Sequence, residues 1–399
     1  MPVTAKSDHS QPPPRCSKEV CEAYRLENGI VFLNHGSFGA IPEPIRLAVD
    51  SWRARIEARP IEMIGRKMKQ HLGEVKHVLG EYIGAAPHRI GLITNATTGV
   101  GAVLRSIAWK RGDRIVITNQ GYNAVRQAVQ YCCERFGCEA VILDLPLPLE
   151  DHQLVLDRFV QSIDTHTRLV IVDHITSPTA VILPVAAIAQ ACRDKGVLCL
   201  IDGAHAPGMV PLNIDEIGAD WYTGNLHKWV CAPKGCAFLV ASTETETWTH
   251  PETTSHMHGH GFAEEFDWQG TRDFAPWLTI PTAIEFVRGG FPGGIREHNH
   301  QLATWAQKKL CQDFSTHSIS PLDGSMIGSM ATIPLPPAIS MRFASAADFQ
   351  ATLYDAHKIE VPIIDWGGVW HARISAQAYN CPEDYFALSA AVCSEALVR

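Results

Sequence analysis

The chain has 399 residues, 46% of them hydrophobic, and 34 Lys and Arg against 42 Asp and Glu give a formal net charge of -8. That is enough apolar material for one large α/β body plus a smaller appended domain, and it excludes repeat and disordered classes. Charges are spread without long runs of one sign, so neither nucleic acid nor a membrane is the expected partner; a small molecule is.

The opening stretch MPVTAKSDHSQPPPRCSK is polar and proline-rich. Without an apolar core it reads as a disordered lead-in over 1–20, not as a secretory signal or a membrane span. The 12 cysteines include no C-x-x-C pair, and several lie in apolar runs (Cys199, Cys236) or on predicted helices (Cys132, Cys133, Cys192). Buried free thiols and a cytoplasmic location follow as expectations.

A short apolar strand, Val31 to Leu33, leads into Asn34-His35-Gly36-Ser37-Phe38-Gly39, a tight turn by spacing, and Pro42 and Pro44 open a helix. From Ala48 to about Tyr82 the apolar residues Trp52, Ile56, Met63, Met68, Leu72, Val75 and Leu79 keep helical spacing. Ile90 to Ile93 is a buried strand; Thr94 to Gly99 and a helix through about Trp109 follow. Strand, small polar turn and helix start make an anion site, because free backbone N–H groups and the helix dipole point at the ligand. An ordinary capped helix is the alternative. No G-x-G-x-x-G accompanies it, so a dinucleotide is not expected.

The strand Arg114 to Thr118 ends near Tyr122, which either stacks on a ligand ring or packs at a helix start. A helix through Phe136 and a strand at Ala140 to Leu143 follow. Leu169 to Val172 ends at Asp173, His174 and, further on, Ser177; His174 is left between site support and a hydrogen-bonded core histidine. Val197 to Ile201 is a continuous apolar run that stops at Asp202, and a shorter run from Asp220 to Thr223 delivers His227 and Lys228 to the same edge. Ligands of open parallel sheets sit at that end of the strands. An acid and a lysine facing one crevice suit pyridoxal phosphate (PLP): a lysine forms the Schiff base and an aspartate keeps the pyridine nitrogen protonated. Lys234 is the rival lysine.

His256, His258 and His260 alternate in SHMHGHGF. No cysteine or carboxylate is spaced to complete a zinc site, so no metal is expected and the stretch reads as a loop near the substrate. From about Ile295 a helix to Leu310, a strand at Ile339 to Phe343, a helix from Ala347 to His357, strands near Glu360 to Ile363 and Trp370 to Ser375, and a last helix make a smaller domain. The expected division is 21–290 for the large domain, to which the N-terminal segment need not be confined, and 291–399 for the small one.

The strings LNHGSFG, DGAHAPG, HKW followed by APKG, and FDWQGTRD stand in the order found in the class V aminotransferases, a family of fold-type I PLP enzymes. The chain resembles that family from about Val31 to its end, and most resembles the isopenicillin N epimerase-like subgroup. The resemblance implies the fold-type I α/β architecture, a large domain with a mostly parallel sheet between helices, and a homodimer with shared active sites. It implies Lys228 as Schiff-base lysine, Asp202 as partner of the pyridine nitrogen, and His205 near the phenolic oxygen. Tyr122 stacks on the ring, while Thr97, Thr98, His227 and Tyr222 reach the phosphate. Ser177 stands where desulfurase relatives carry an asparagine. Thr271 reaches the neighbouring subunit's phosphate, Arg373 grips the substrate α-carboxylate, and His35 and Ser37 lie on the substrate side.

Three functions follow as expectations. The first is epimerisation or racemisation at the Cα of an amino acid or its derivative, which needs an acid or base opposite Lys228, with His35 and Tyr122 as the residues considered. The second is carbon–sulfur β-elimination of a cysteine-type substrate without a persulfide, since Ser315 to Asn380 contains no cysteine. The third is a PLP-fold binding protein without turnover, against which stands a short, non-basic N-terminus.

Overall fold

A computed structural model describes residues 11–289 and 294–397. Its centre is a seven-stranded sheet of β2 (Ile90–Ile93), β3 (Arg114–Thr118), β4 (Glu139–Leu143), β5 (Thr167–Asp173), β6 (Leu198–Asp202), β7 (Trp221–Asn225) and β8 (Ala237–Ala241), counting Val31–Phe32 as β1. The order is β2-β8-β7-β6-β5-β3-β4, and β8 alone runs against the rest. The expected α/β architecture with a mostly parallel sheet is therefore present.

Both faces of this sheet are covered, which is why its strands read as unbroken apolar runs and not as alternation. Along β5, Leu169 and Ile171 enter one buried cluster, and Val170 and Val172 enter the other. β6 and β7 follow the same parity: Leu200 and Trp221 face one side, Ile201 and Tyr222 the other. Six strands with a common direction thus end at one edge, at Ile93, Thr118, Leu143, Asp173, Asp202 and Asn225.

The smaller body has its own apolar cluster. It is built on a three-stranded antiparallel sheet in the order β11-β12-β9, with β9 (Met330–Pro334), β11 (Ile363–Trp366) and β12 (Val369–Ser375). β10 (Ile359–Glu360) pairs in parallel with β1, so the N-terminal segment joins the C-terminal body, and Leu33 is buried there.

Several expectations need correction. The strand expected at Ile339 to Phe343 is a helix, Pro337–Arg342. Pro337 stands in its first turn, where a missing N–H removes no bond; the strand lies earlier, at β9. The long helix expected from Ala48 to Tyr82 is three pieces, Glu43–Ala58, a π-helical Ile61–Lys67 and Met68–Ile83, because Pro60 interrupts the bonding pattern. The expected single strand near Glu360 to Ile363 is β10 and β11, parted at Val361-Pro362. Of the lead-in expected over 1–20, residues 1–10 lie outside the described residues. From Cys16 the chain packs onto the body, with Cys16 and Val20 buried and a short helix at Lys18–Glu22.

Candidate active site

The sheet edge opens on two adjoining cavities. One, of about 490 Å³, is lined among others by Asn95, Thr97, Thr98, Asp173, Asp202 and His205, together with Asn225, His227 and Lys228. The other, of about 460 Å³, lies between the two bodies and reaches Arg126, Asp365, Trp366 and Arg373. Ser37, Phe38, Tyr122, Ser177 and Lys228 border both.

Asp202 ends β6 beside Asp173, which ends β5 in register with it. Asp202 Oδ1 accepts the Ala204 N–H at 3.0 Å. Burial raises its pKa; Asp173 is pushed well up by burial and by the charge of Asp202. Lys228 Nζ lies 3.1 Å from His205 Nε2. Burial, and then the nearby Arg373 charge, lower its pKa to about 7, against the pull of Asp202 and Asp173. Burial and Lys228 also hold His205 neutral, well below its ordinary pKa, and Trp229 Nε1–H donates to its Nδ1 at 3.3 Å. His227 is lowered to about 4 by burial, and its Nδ1 stands 3.1 Å from the Cys236 carbonyl.

The helix Ala96–Ser106 begins at this edge because Asn95 caps it, its side chain accepting the Thr98 N–H at 2.9 Å. Asn225 Oδ1, from the end of β7, takes the Ala96 N–H at 2.9 Å. A Cβ at Gly99 would stand 2.5 Å from Thr223 Oγ1, so glycine lets the helix seat against β7. Across the cleft, Arg373 on β12 donates to the Ser177 carbonyl at 2.5 Å and to Ser37 Oγ at 3.2 Å. Burial lowers its pKa to about 10.

Some expected residues lie elsewhere. Tyr222 does not line either cavity: strand parity turns it to the opposite face, where its hydroxyl is 2.8 Å from His174 Nδ1 and its ring stacks on Phe238. His35 is fully buried behind the lysine and lines neither cavity. The Ala40 N–H points at its Nδ1, at 3.4 Å, so the proton sits on Nε2, which donates to the Lys228 carbonyl at 3.0 Å. Gly39 has φ +66°, and a Cβ there would strike the His227 carbonyl and Lys228 Cα; only glycine permits this approach. Thr271 is exposed and borders neither cavity. Lys234 donates to the Gly39 carbonyl at 2.6 Å, away from the cleft. Asn95 and Asn225 are additions: one follows β2 and the other ends β7, and a polar residue at a strand's end is the signal that finds them.

The histidine triplet divides. His256 borders a separate cavity with Lys69 and Glu264, whereas His258 approaches His250 and Glu265. The carboxylate missing from the sequence pattern is thus supplied by the fold.

A model of the aminotransferase class-V family matches residues 51–355. The chain belongs to that family. As a class V aminotransferase-family member it is an enzyme with PLP as cofactor and the fold-type I architecture. It is 30% identical to L-cysteine desulfhydrase of Arabidopsis thaliana over 92% of this chain and 88% of that one. It is 29% identical to isopenicillin N epimerase of Amycolatopsis lactamdurans over 90% of this chain and 93% of that one. A solved C-DES variant with glycine covalently linked to PLP shares the fold, with a TM-score of 0.78 at 19% identity over 93% of this chain and 97% of that one.

The cleft of this class V member fits PLP on its own observations. The carboxylate of Asp202 is 3% exposed, with the Ala204 amide as its donor. A protonated pyridine nitrogen would supply the compensating cation. The capped helix start with Thr97 and Thr98 suits a phosphate, and Lys228 lines the same cavity as both. Among the described residues no helix is long and apolar enough to cross a membrane.

Proposed function

We propose that this enzyme removes the Cα proton of an amino acid or amino-acid-derived substrate, with Lys228 as the covalent attachment point of PLP and then as the base, and that epimerisation or racemisation is the outcome. The observation that supports this most is the buried Lys228 amine with its pKa lowered to about 7, which makes a neutral nucleophile and base available near neutral pH. Bound PLP supplies the electron sink for charge developing at Cα. Asp202 holds the ring nitrogen, His205 the phenolic oxygen with Ser177 nearby, Tyr122 the ring face, and Thr97, Thr98 and His227 the phosphate. Arg373 binds the substrate carboxylate as a planar fork, with Ser37 beside it. Inversion needs a proton donor opposite Lys228; with His35 behind the lysine, Tyr122 is the residue at the cleft for that role.

We also infer a homodimer. Thr271 is exposed and borders neither of its own chain's two cleft cavities, which leaves it available for a contact to a second subunit's phosphate.

A second reading, carbon–sulfur β-elimination of a cysteine-type substrate, is favoured by the desulfhydrase relative and by needing no second base. No cysteine lines either cavity, so a persulfide route has no thiol at hand. Cys311 and Cys381 are both pushed up to about 11 by burial, far from thiolates. Incubating the holoenzyme with amino acids and cysteine conjugates in deuterated water separates the readings. Deuterium at Cα with inversion and no pyruvate is the expected result, pyruvate with released thiol marks the second reading, and a Cα proton retained in every substrate overturns both.

A further inference from the structure

Away from the cleft, three potential metal ligands meet. His250 lies after β8, His258 in the following loop, and Glu265 on the helix Phe262–Asp267. One ligand atom from each falls within 4.8 Å of the others. His250 Nδ1 is 2.8 Å and His258 Nδ1 3.6 Å from Glu265 Oε2, and the two rings lie 5.3 Å apart.

Glu265 is 5% exposed, although a carboxylate so buried needs a cation. Among the described residues its ion-pair partners are only these two imidazoles. The Gly259 N–H donates to Oε1 at 3.0 Å, which fixes the carboxylate and leaves Oε2 turned to both rings. The backbone N–H of His250, in turn, donates to Ser106 Oγ at 2.9 Å, so the chain at this histidine is anchored to the far end of the helix Ala96–Ser106.

We infer that His250, His258 and Glu265 form a binding site for a first-row divalent transition cation, with zinc as the representative ion. Two imidazoles and one carboxylate suit zinc, nickel or copper and are too nitrogen-rich for calcium or magnesium. Tetrahedral zinc holds neighbouring donor atoms about 3.3 Å apart. The observed 2.8 and 3.6 Å bracket that value, all three ligand atoms lie within 4.8 Å, and His258 is exposed. The ion neutralises Glu265 and ties the loop between His250 and Gly261 to the helix Phe262–Asp267. Its fourth position is open to water.

The test uses the holoenzyme, dialysed against a chelator, equilibrated with zinc, freed of excess and assayed by elemental mass spectrometry. Wild type is expected to retain one zinc per chain, and zinc to raise its thermal midpoint by several degrees. His258→Ala, an exposed position that tolerates truncation, and Glu265→Gln are expected to lose both effects and keep the bound PLP absorbance. His256→Ala, on the other side of the loop, is expected to bind as wild type does. No zinc on wild type, or equal retention by His258→Ala, overturns the site; the second result stands even if Glu265→Gln fails to fold.

Discussion

Lys228 and Arg373 share a buried cleft, and the arginine's charge raises the cost of charging the lysine. Burial lowers the lysine first and the arginine's charge lowers it further, to about 7, in place of its ordinary 10.5. The consequence is kinetic. A neutral amine attacks the cofactor aldehyde, so PLP uptake by the cofactor-free protein should speed up with pH and level off just above 7, whereas an ordinary lysine keeps accelerating past pH 9. Arg373→Ala removes a like charge, so the Lys228 pKa rises and the midpoint moves to higher pH. Stopped-flow absorbance across pH checks both statements. At this scale Asp202 was legible because a strand's apolar run stops at it, whereas Lys228, past the end of the next run, was set apart from Lys234 by the His-Lys pair of the family the chain resembles. The role of His35 was not legible. That residue and Lys228 are 193 positions apart, and only the folded turn reveals that the histidine holds the lysine's carbonyl.

The element proposed to carry the cofactor's anionic end is the helix Ala96–Ser106, started by Asn95 and Asn225. Its first turn is aimed by packing as much as by capping, since Gly99 sits against Thr223 on β7. Gly99→Val should push the helix off the sheet and weaken PLP affinity by about tenfold or more, or ~1.4 kcal/mol, with Lys228 still reactive toward aldehydes; a fluorescence titration of the cofactor-free protein measures it. Strand, turn and helix were legible here because their periodicities differ sharply. Strand parity was legible in principle and runs against the phosphate role that the resemblance implies for Tyr222: position 222 must face away if Trp221 and Thr223 face the helix. In the small body, the apolar content of Ile339 to Phe343 read as a strand, whereas the prolines before it start a helix.

Across the whole molecule, the site exists because two bodies meet. Arg373 reaches Ser177 across 196 positions and Ser37 across 336, so the order of motifs predicted the parts and the fold alone sets them side by side. The same holds for His250, His258 and Glu265, whose spacing has no metal signature until loop and helix close on each other. All of this hangs on one covalent attachment. Borohydride reduction of the holoenzyme, digestion and peptide mass spectrometry locate it directly: the account predicts a phosphopyridoxyl group on Lys228, and a label on Lys234, on any other lysine, or on none would contradict it.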